Sequence, residues 1–365
     1  MRATALILVD ESRQRLRAKT IERMEIGLLD SGISAARLIP GAATRLRREE
    51  EHTLCPQIEY EPRVAPWFRR WRRETLRKLL EPLGPDLVHV IGRTSWPLAF
   101  ELGQVFSIPV LLECWSARDA AAAPRGRRAG GVGAFIGGTR ALAEQLRRRV
   151  DPARVALIPV GVPVPASPRQ VDTSGATPSI AIIGRGESLP AYRAALKALA
   201  RRVEDGQELQ IVLEIAGPRS HEIWRLARDL SLLDRTSTFD NAERLRELVL
   251  QCQVLLAPDH GGEIRPLFLE AMGRAMPIAT VGDPVMDAIG EDRVHVVARP
   301  NQPAAWEEAV AAVTGDQDAA IQLGRRAWEW VREHHASSAT ASLRAELYER
   351  VLSGGSIPLD SHRVG

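Results

Sequence analysis

The residues best suited to chemistry in this sequence lie between Pro258 and Thr280. An apolar run at 254–257 predicts a buried strand, and a polar loop with two glycines follows it. Glycines let backbone N–H groups approach a ligand, and a helix beginning near Pro266 would favour an anion at its N-terminus. Glu270, one turn into that helix, could accept hydrogen bonds from sugar hydroxyls. The combination suits a nucleotide diphosphate, and an ordinary strand-to-helix turn of an α/β sheet is the alternative interpretation.

The composition is that of a soluble globular protein. The chain has 365 residues, of which 45% are hydrophobic and 26% charged, so two domains with sizeable cores are expected. No apolar run approaches the roughly 20 residues needed to span a bilayer. The first ten residues predict a strand rather than a signal peptide. The three cysteines are widely spaced, which argues against disulfides or a zinc site and favours a reducing cytoplasm.

The charge is unevenly distributed along the chain. Residues 1–162 carry 27 Lys and Arg against 18 Asp and Glu, whereas the rest carries 22 against 28. Halves of opposite sign suggest two domains with different partners. The positive half contains no known nucleic-acid-binding motif, so no nucleic-acid partner is expected.

Short apolar runs alternate with helical patterns in both halves, which predicts two parallel α/β sheets. The predicted strands of the first half are 5–9, 87–91, 109–112, 132–136 and 155–159. Those of the second half are 179–183, 210–215, 236–239, 254–257 and 278–281. Residues 163–178 are rich in Pro, Ser and Thr and form the best linker candidate. Two long helices are predicted near the C-terminus, at 319–334 and 337–352, followed by a frayed tail at 353–365.

Five motifs in the second half occur in the order typical of one known family. They are I-I-G-R at 182–185, L-E-I-A-G-P at 213–218, V-L-L-A-P-D at 254–259, the segment 269–280 and the terminal segment 328–352. Weaker matches in the first half lie at 85–90, 107–112 and 154–162. The chain therefore resembles the retaining GT-B glycosyltransferases of the group 1, or family 4, type that use nucleotide sugars.

This resemblance implies a fold, an activity and a set of partners. The fold would be GT-B, an α/β architecture of two Rossmann-like domains facing each other across a cleft. Residues 1–162 would form the acceptor-side domain together with a helix at about 337–352 that crosses back to it, and residues 179–336 would bind the nucleotide sugar. The reaction would move a sugar, with retention, from a nucleotide-diphospho-sugar to a glycan or lipid-linked acceptor. Neither a cofactor nor a metal is implied.

The resemblance also assigns roles to individual residues. Arg185 and Glu263 are the expected catalytic residues, the first neutralising the departing diphosphate and the second contacting the donor sugar. The residues expected to bind the donor nucleotide are Gly184, Gly262, Arg265, Pro266, Leu267 and Glu270. Trp115 and His89 are placed on the acceptor and donor-sugar side, although His89 corresponds to a mainly structural position.

Several positions depart from the family pattern. Gly262 occupies the place of the first of two expected glutamates, so that Glu263 lies one residue late, and no Lys follows Arg185 near Pro190. The first strand lacks a following glycine-rich loop, and Trp115 stands where a His is usual. The alternative function is therefore a pseudoenzyme that binds nucleotides or acts in assembly.

One segment outside these motifs also has functional potential. Residues 67–80, W-F-R-R-W-R-R-E-T-L-R-K-L-L, predict a basic helix with three aromatic residues on or near one side. Such a helix could contact an anionic membrane, which would place a cytoplasmic protein peripherally on the inner face. A scaffold helix with its apolar side in the core is the alternative.

Overall fold

The computed structural model describes residues 3–41, 54–61, 65–169, 177–241, 245–315, 317–355 and 357. The chain divides into two compact units. The first unit comprises Met1–Gly161 and Ser337–Gly365, and the second comprises Val162–Ala336. Each unit contains one parallel sheet covered by helices, as the alternating pattern of the sequence predicts.

The first unit is built on a seven-stranded sheet with the order β3-β2-β1-β4-β5-β6-β7. The central strand β1 pairs in parallel with β2 and β4, so that Leu8 lies between Leu38 and Val90. The strands are β1 (Thr4–Val9), β2 (Ser34–Pro40), β3 (Gln57–Tyr60), β4 (Leu87–Ile91), β5 (Val110–Cys114), β6 (Val132–Gly137) and β7 (Val155–Leu157).

Helices of this unit come from both ends of the chain. They are α1 (Glu11–Leu16), α2 (Ala18–Asp30), α3 (Arg69–Leu80), α4 (Trp96–Phe106), α5 (Ala117–Ala122), α6 (Arg140–Arg147) and α13 (Ser337–Ser353). The C-terminal helix α13 packs against α2. A Cβ atom on Gly27 would lie 2.5 Å from the Cβ of Ala341, so the close contact between these helices requires glycine at position 27.

The second unit has a six-stranded sheet with the order β10-β9-β8-β11-β12-β13. Its strands are β8 (Ser179–Ile182), β9 (Gln210–Glu214), β10 (Thr236–Phe239), β11 (Val254–Ala257), β12 (Ile278–Thr280) and β13 (His295–Val296). Its helices are α7 (Leu189–Glu204), α8 (Ser220–Asp229), α9 (Arg246–Gln251), α10 (Pro266–Gly273), α11 (Pro303–Thr314) and α12 (Gln317–His334). Because β8 lies between β9 and β11, the loops after these three strands meet at one edge of the sheet.

The core of the second unit lies between its sheet and helices α7 and α11. The alanine-rich face of α7 lets α11 approach closely, and both helices pack against strand residues such as Ile182 and Leu256. Trp306 is fully buried in this layer, and its Nε1 donates a hydrogen bond to the carbonyl of Pro300. This packing fixes the start of α7, and with it the loop after β8.

The described part of the predicted linker is docked on the second unit. The guanidinium of Arg169 donates to the carbonyls of Leu250, Gln251 and Cys252, which end helix α9. A cation that binds the last carbonyls of a helix also complements its dipole. Residues 170–176 of the predicted linker, and most of the predicted tail, lie outside the described residues.

Candidate functional site

The loop after β8 is organised by a buried carboxylate from the neighbouring strand. Asp259, which is 3% exposed, follows β11 and accepts hydrogen bonds from the backbone N–H groups of Arg185, Glu187 and Ser188 at 2.7, 3.2 and 2.9 Å. The carboxylate of Glu214, at the end of β9, accepts from the N–H of Gly184 at 2.8 Å. Two carboxylates, one from each of the strands that flank β8, thus fix the backbone of residues 184–188.

Gly184 is required at the start of this loop. Its φ of 155° is unfavourable for residues with a side chain, and a Cβ atom would collide with the hydroxyl of Tyr192. Burial raises the pKa of Tyr192 well above its ordinary value, and the charges of Asp259 and Glu214 raise it further. The phenol therefore stays protonated beside the loop.

A second loop, between β11 and α10, is held by Asp283. The carboxylate of Asp283 accepts hydrogen bonds from the N–H groups of Gly262 at 3.1 Å and Val285 at 2.9 Å. Gly262 has a φ of 57°, a left-handed conformation that favours glycine. This left-handed conformation explains why a glycine stands at position 262, where the family pattern has a glutamate.

The structure brings the two expected catalytic residues together. Nη1 of Arg185 lies 3.7 Å from Oε2 of Glu263, and the side chains are 43% and 21% exposed. Both are therefore accessible to a ligand of this unit. The one-residue offset of Glu263 in the sequence does not separate it from Arg185.

Arg265 supplies a second positive charge near this pair. A Cβ atom on Gly261 would lie 3.3 Å from Nη2 of Arg265, so the guanidinium packs along the glycine loop. Its charge also lowers the pKa of Tyr192, against the larger effects of burial and of the carboxylates Asp259 and Glu214. Arg265 thus lies within electrostatic range of the loop after β8.

Helix α10 begins directly after Arg265. Pro266 is its first residue, both Pro266 and Leu267 are buried, and no side chain caps the helix. The first N–H groups of a helix have no partner within it, so those at Leu267 and Phe268 are suited to an anion. Pro266 has no N–H and can only position this turn.

Glu270 lies in a different environment from the one that the sequence predicts. Its side chain is 2% exposed and forms an ion pair with Arg246 of α9, which is itself buried. The carboxylate is therefore part of a buried pair on α10 rather than an exposed acceptor for sugar hydroxyls. A contact between Glu270 and a ribose remains a prediction.

The predicted sugar contacts of the first unit, His89 and Trp115, lie in its core. His89 is fully buried, with Nδ1 2.6 Å from the hydroxyl of Tyr348 and Nε2 2.8 Å from Glu113. Trp115 is 1% exposed and donates from Nε1 to Glu113 at 2.7 Å. Both side chains are thus engaged in the core of the first unit, and their contact with a sugar stays a prediction.

Buried partners of the loops were missed by sequence reasoning. Asp259 and Glu214 reach the loop after β8 only because this strand lies between β9 and β11, and strand order is not visible in hydrophobic patterns; Tyr192 reaches the loop from α7. The available signal was a polar residue at or just after each strand end, where ligand-binding loops of parallel sheets begin. Within the described residues, no cluster of His, Cys, Asp and Glu could hold a metal ion.

Two curated glycosyltransferases are similar to the chain in sequence. A 2-deoxystreptamine glucosyltransferase of Streptomyces kanamyceticus is 26% identical over 247 residues, covering 66% of this chain and 63% of that protein. A D-inositol 3-phosphate glycosyltransferase of Nocardia farcinica is 25% identical over 190 residues, covering 47% and 41%. The chain thus spans less than two thirds of the length of these relatives. No protein-family model matches it.

Solved structures confirm the fold. HepE of Anabaena, crystallised with UDP-glucose, superposes with a TM-score of 0.73 at 12% identity, covering 94% of this chain and 99% of that one. At this identity the likeness concerns the fold alone. The expected GT-B fold is confirmed, and the two curated relatives confirm the resemblance to glycosyltransferases of the group 1 type.

Proposed function

We propose that this GT-B chain is a glycosyltransferase that moves a sugar, with retention, from a nucleotide-diphospho-sugar to a glycan or lipid-linked acceptor. The observation that carries the proposal is the approach of Arg185 to Glu263 at the loop fixed by Asp259. The names of the relatives support the reaction, and the UDP-glucose bound to HepE supports this class of donor.

In the proposed reaction the bond between the anomeric carbon and the diphosphate oxygen breaks as the acceptor oxygen bonds to the same carbon, and the proton of the acceptor hydroxyl passes to the departing diphosphate. Negative charge develops on the departing diphosphate, which needs fixed positive charge nearby. Arg185, Arg265 and the first N–H groups of α10 would stabilise that charge. Glu263 would hold the hydroxyls of the donor sugar, and Glu270 the ribose.

The first test measures UDP binding by calorimetry and hydrolysis of UDP-sugars by nucleotide release. Arg185→Ala should weaken UDP binding about tenfold or more, since it removes a charge-assisted contact to phosphate. Glu263→Gln should leave UDP binding within about twofold and lower turnover by roughly a hundredfold, because its contact is with the sugar.

A matched control uses Glu187→Gln, in the same loop, whose side chain is exposed. This variant should behave as the unmodified chain. Binding of UDP without turnover of any donor would contradict the enzyme and favour the pseudoenzyme alternative. An absence of binding to every nucleotide tested would contradict the donor site itself.

We also infer that helix α3, together with the turn Pro66–Phe68 before it, contacts an anionic membrane surface. Trp67 and Trp71 are 77% and 66% exposed, and Arg70, Arg73 and Lys78 are exposed beside them. Aromatic rings of this kind insert at the lipid interface while cations attract anionic headgroups. No helix in the described part of the chain is long and apolar enough to span a bilayer.

Sedimentation with vesicles tests this contact. The chain should sediment with phosphatidylglycerol vesicles and not with phosphatidylcholine vesicles, and the double change Trp67→Ala and Trp71→Ala should abolish sedimentation. Trp224→Ala, which removes a half-exposed tryptophan of the second unit, is the control. Equal sedimentation of both tryptophan variants would contradict a contact through α3.

A further inference from the structure

A groove of about 420 Å³ opens on the second unit, and nothing in the proposed transfer reaction uses it. Its polar lining comes from Arg193, Lys197 and Arg219, together with Asn301. Leu189, Pro190, Ala194 and Pro303 form its apolar floor. The volume falls in the range of small-molecule sites. We call it the α7–α8–α11 groove, after the helices that contribute to it.

Two of the three cations of this groove, Arg193 and Lys197, have no acidic partner within the described part of the chain. No carboxylate lines it, and no described acid pairs with Arg193 or Lys197, which lie one turn apart on α7. Arg219 has Glu222 at 3.8 Å, where both side chains are about half exposed. The next cation along the same stripe of α7, Arg201, is by contrast paired with Glu307. Along this stripe of α7, the ion pairing seen at Arg201 is therefore absent at the two positions that line the groove.

Three helix starts add to the positive potential. Helices α7, α8 and α11 begin at Leu189, Ser220 and Pro303, each at or beside the groove. Helix N-termini carry partial positive charge. Pro190 and Pro303 have no N–H to offer, so the cationic side chains add donors that these two helix starts lack. The apolar floor would contact the uncharged body of the same ligand.

We propose that the α7–α8–α11 groove binds a small phosphorylated compound with at least two negative charges. The site is separate from the donor site, since neither Arg185 nor Glu263 lines it. Leu189 directly follows the loop fixed by Asp259, so a ligand in the groove would contact the segment that positions Arg185. Phosphate is favoured over a single carboxylate because Arg193 and Lys197 offer two uncompensated cations, with Arg219 as a third donor beside them.

Calorimetry with inorganic pyrophosphate at low ionic strength tests the proposal on the full chain. The double change Arg193→Ala and Lys197→Ala should weaken pyrophosphate binding at the groove roughly tenfold. Arg201→Ala with Arg202→Ala removes the same charge from the same helix outside the groove and should leave binding within about twofold. Circular dichroism establishes that each variant is folded.

The Arg185→Ala variant distinguishes the groove from the donor site. Pyrophosphate should still bind to this variant, and the further changes at Arg193 and Lys197 should then weaken that binding roughly tenfold. Loss of all pyrophosphate binding in Arg185→Ala alone would overturn the proposal, as would unchanged binding after the double change. The donor proposal fails separately: UDP binding that is unchanged in Arg185→Ala would contradict it without affecting the groove.

Discussion

At the scale of single residues, Asp259 contributes most to the geometry of the candidate site. One buried carboxylate accepts three backbone N–H groups from the loop that carries Arg185. Such charge-assisted hydrogen bonds hold the loop in one conformation before any ligand arrives. Arg185 is thus positioned through its own backbone, while its guanidinium remains accessible to a diphosphate.

The change Asp259→Asn tests this role. An asparagine keeps the shape but replaces one acceptor oxygen by an NH₂ group that faces N–H donors. We expect a loss of about 1.5–3 kcal/mol in the free energy of unfolding and weaker UDP binding, measured by urea denaturation and calorimetry. Asp240→Asn, at an exposed position after β10, is the control. Equal stability and affinity in both variants would contradict the role of Asp259.

The sequence predicts residues of the site unevenly. Arg185 and Glu263 were identified from motifs, and the structure places them together. Glu270 is buried in an ion pair with Arg246 of a different helix, and a pairing across elements leaves no local pattern in the sequence; its contact with a ribose stays a prediction. Asp259 was missed for the same reason, since its three donors lie more than 70 residues away.

At the scale of elements, buried charges explain why two strands of the first unit differ from the expected boundaries. Strand β2 was not predicted, because Arg37 interrupts its apolar pattern; in the structure Arg37 is 1% exposed and paired with Glu25 of α2. Strand β5 was expected to end at Leu112 and instead continues through Glu113. Each buried charge is paired with a residue of another element, which hydrophobic periodicity cannot show.

Glu113 joins the C-terminal helix α13 to the sheet of the first unit. Its carboxylate accepts from Nη2 of Arg344 at 3.0 Å and lies 2.8 Å from His89, whose other nitrogen contacts Tyr348 of α13. Burial alone would raise the pKa of Glu113. Arg344 and His89 lower this pKa by more than burial raises it, so the pKa lies well below its ordinary value of 4.5. The carboxylate is therefore ionised in the folded chain.

Glu113→Gln should destabilise the first unit in a pH-dependent way. At pH 7 we expect a loss of about 3–5 kcal/mol, because Arg344 would remain buried without its counter-charge. A carboxyl whose pKa is depressed on folding stabilises fully above its unfolded pKa and loses that contribution as the pH falls below it. The difference between the two proteins should thus shrink below about pH 4.5, as measured by denaturation at several pH values.

Glu101→Gln provides the comparison for this effect. Glu101 pairs with Arg72 at 2.9 Å, but both side chains are partly exposed, so a loss of about 1 kcal/mol or less is expected. A pH-independent difference between Glu113→Gln and the unmodified chain would contradict the ionised state of Glu113.

At the scale of the whole molecule, the two units differ in how the chain builds them. The second unit is continuous from Val162 to Ala336, whereas the first needs α13 from the end of the chain. Leu343, Leu347 and Tyr348 of that helix are buried. The first unit is therefore incomplete without the last helix, whereas the second unit contains all of its own elements before that helix begins.

Removal of residues 337–365 should consequently affect one unit and spare the other. The truncation exposes the apolar surface of α2 and leaves Glu113 and His89 without Arg344 and Tyr348, so the first unit should lose its cooperative unfolding transition. The second unit should keep its own transition in calorimetry, together with the UDP binding proposed for it. A chain that ends after residue 355 should retain both transitions. The core of the second unit lies between β8–β13 and helices α7 and α11, and it uses no residue of α13. Loss of both transitions on removal of α13 would therefore contradict the prediction that the second unit folds without the first.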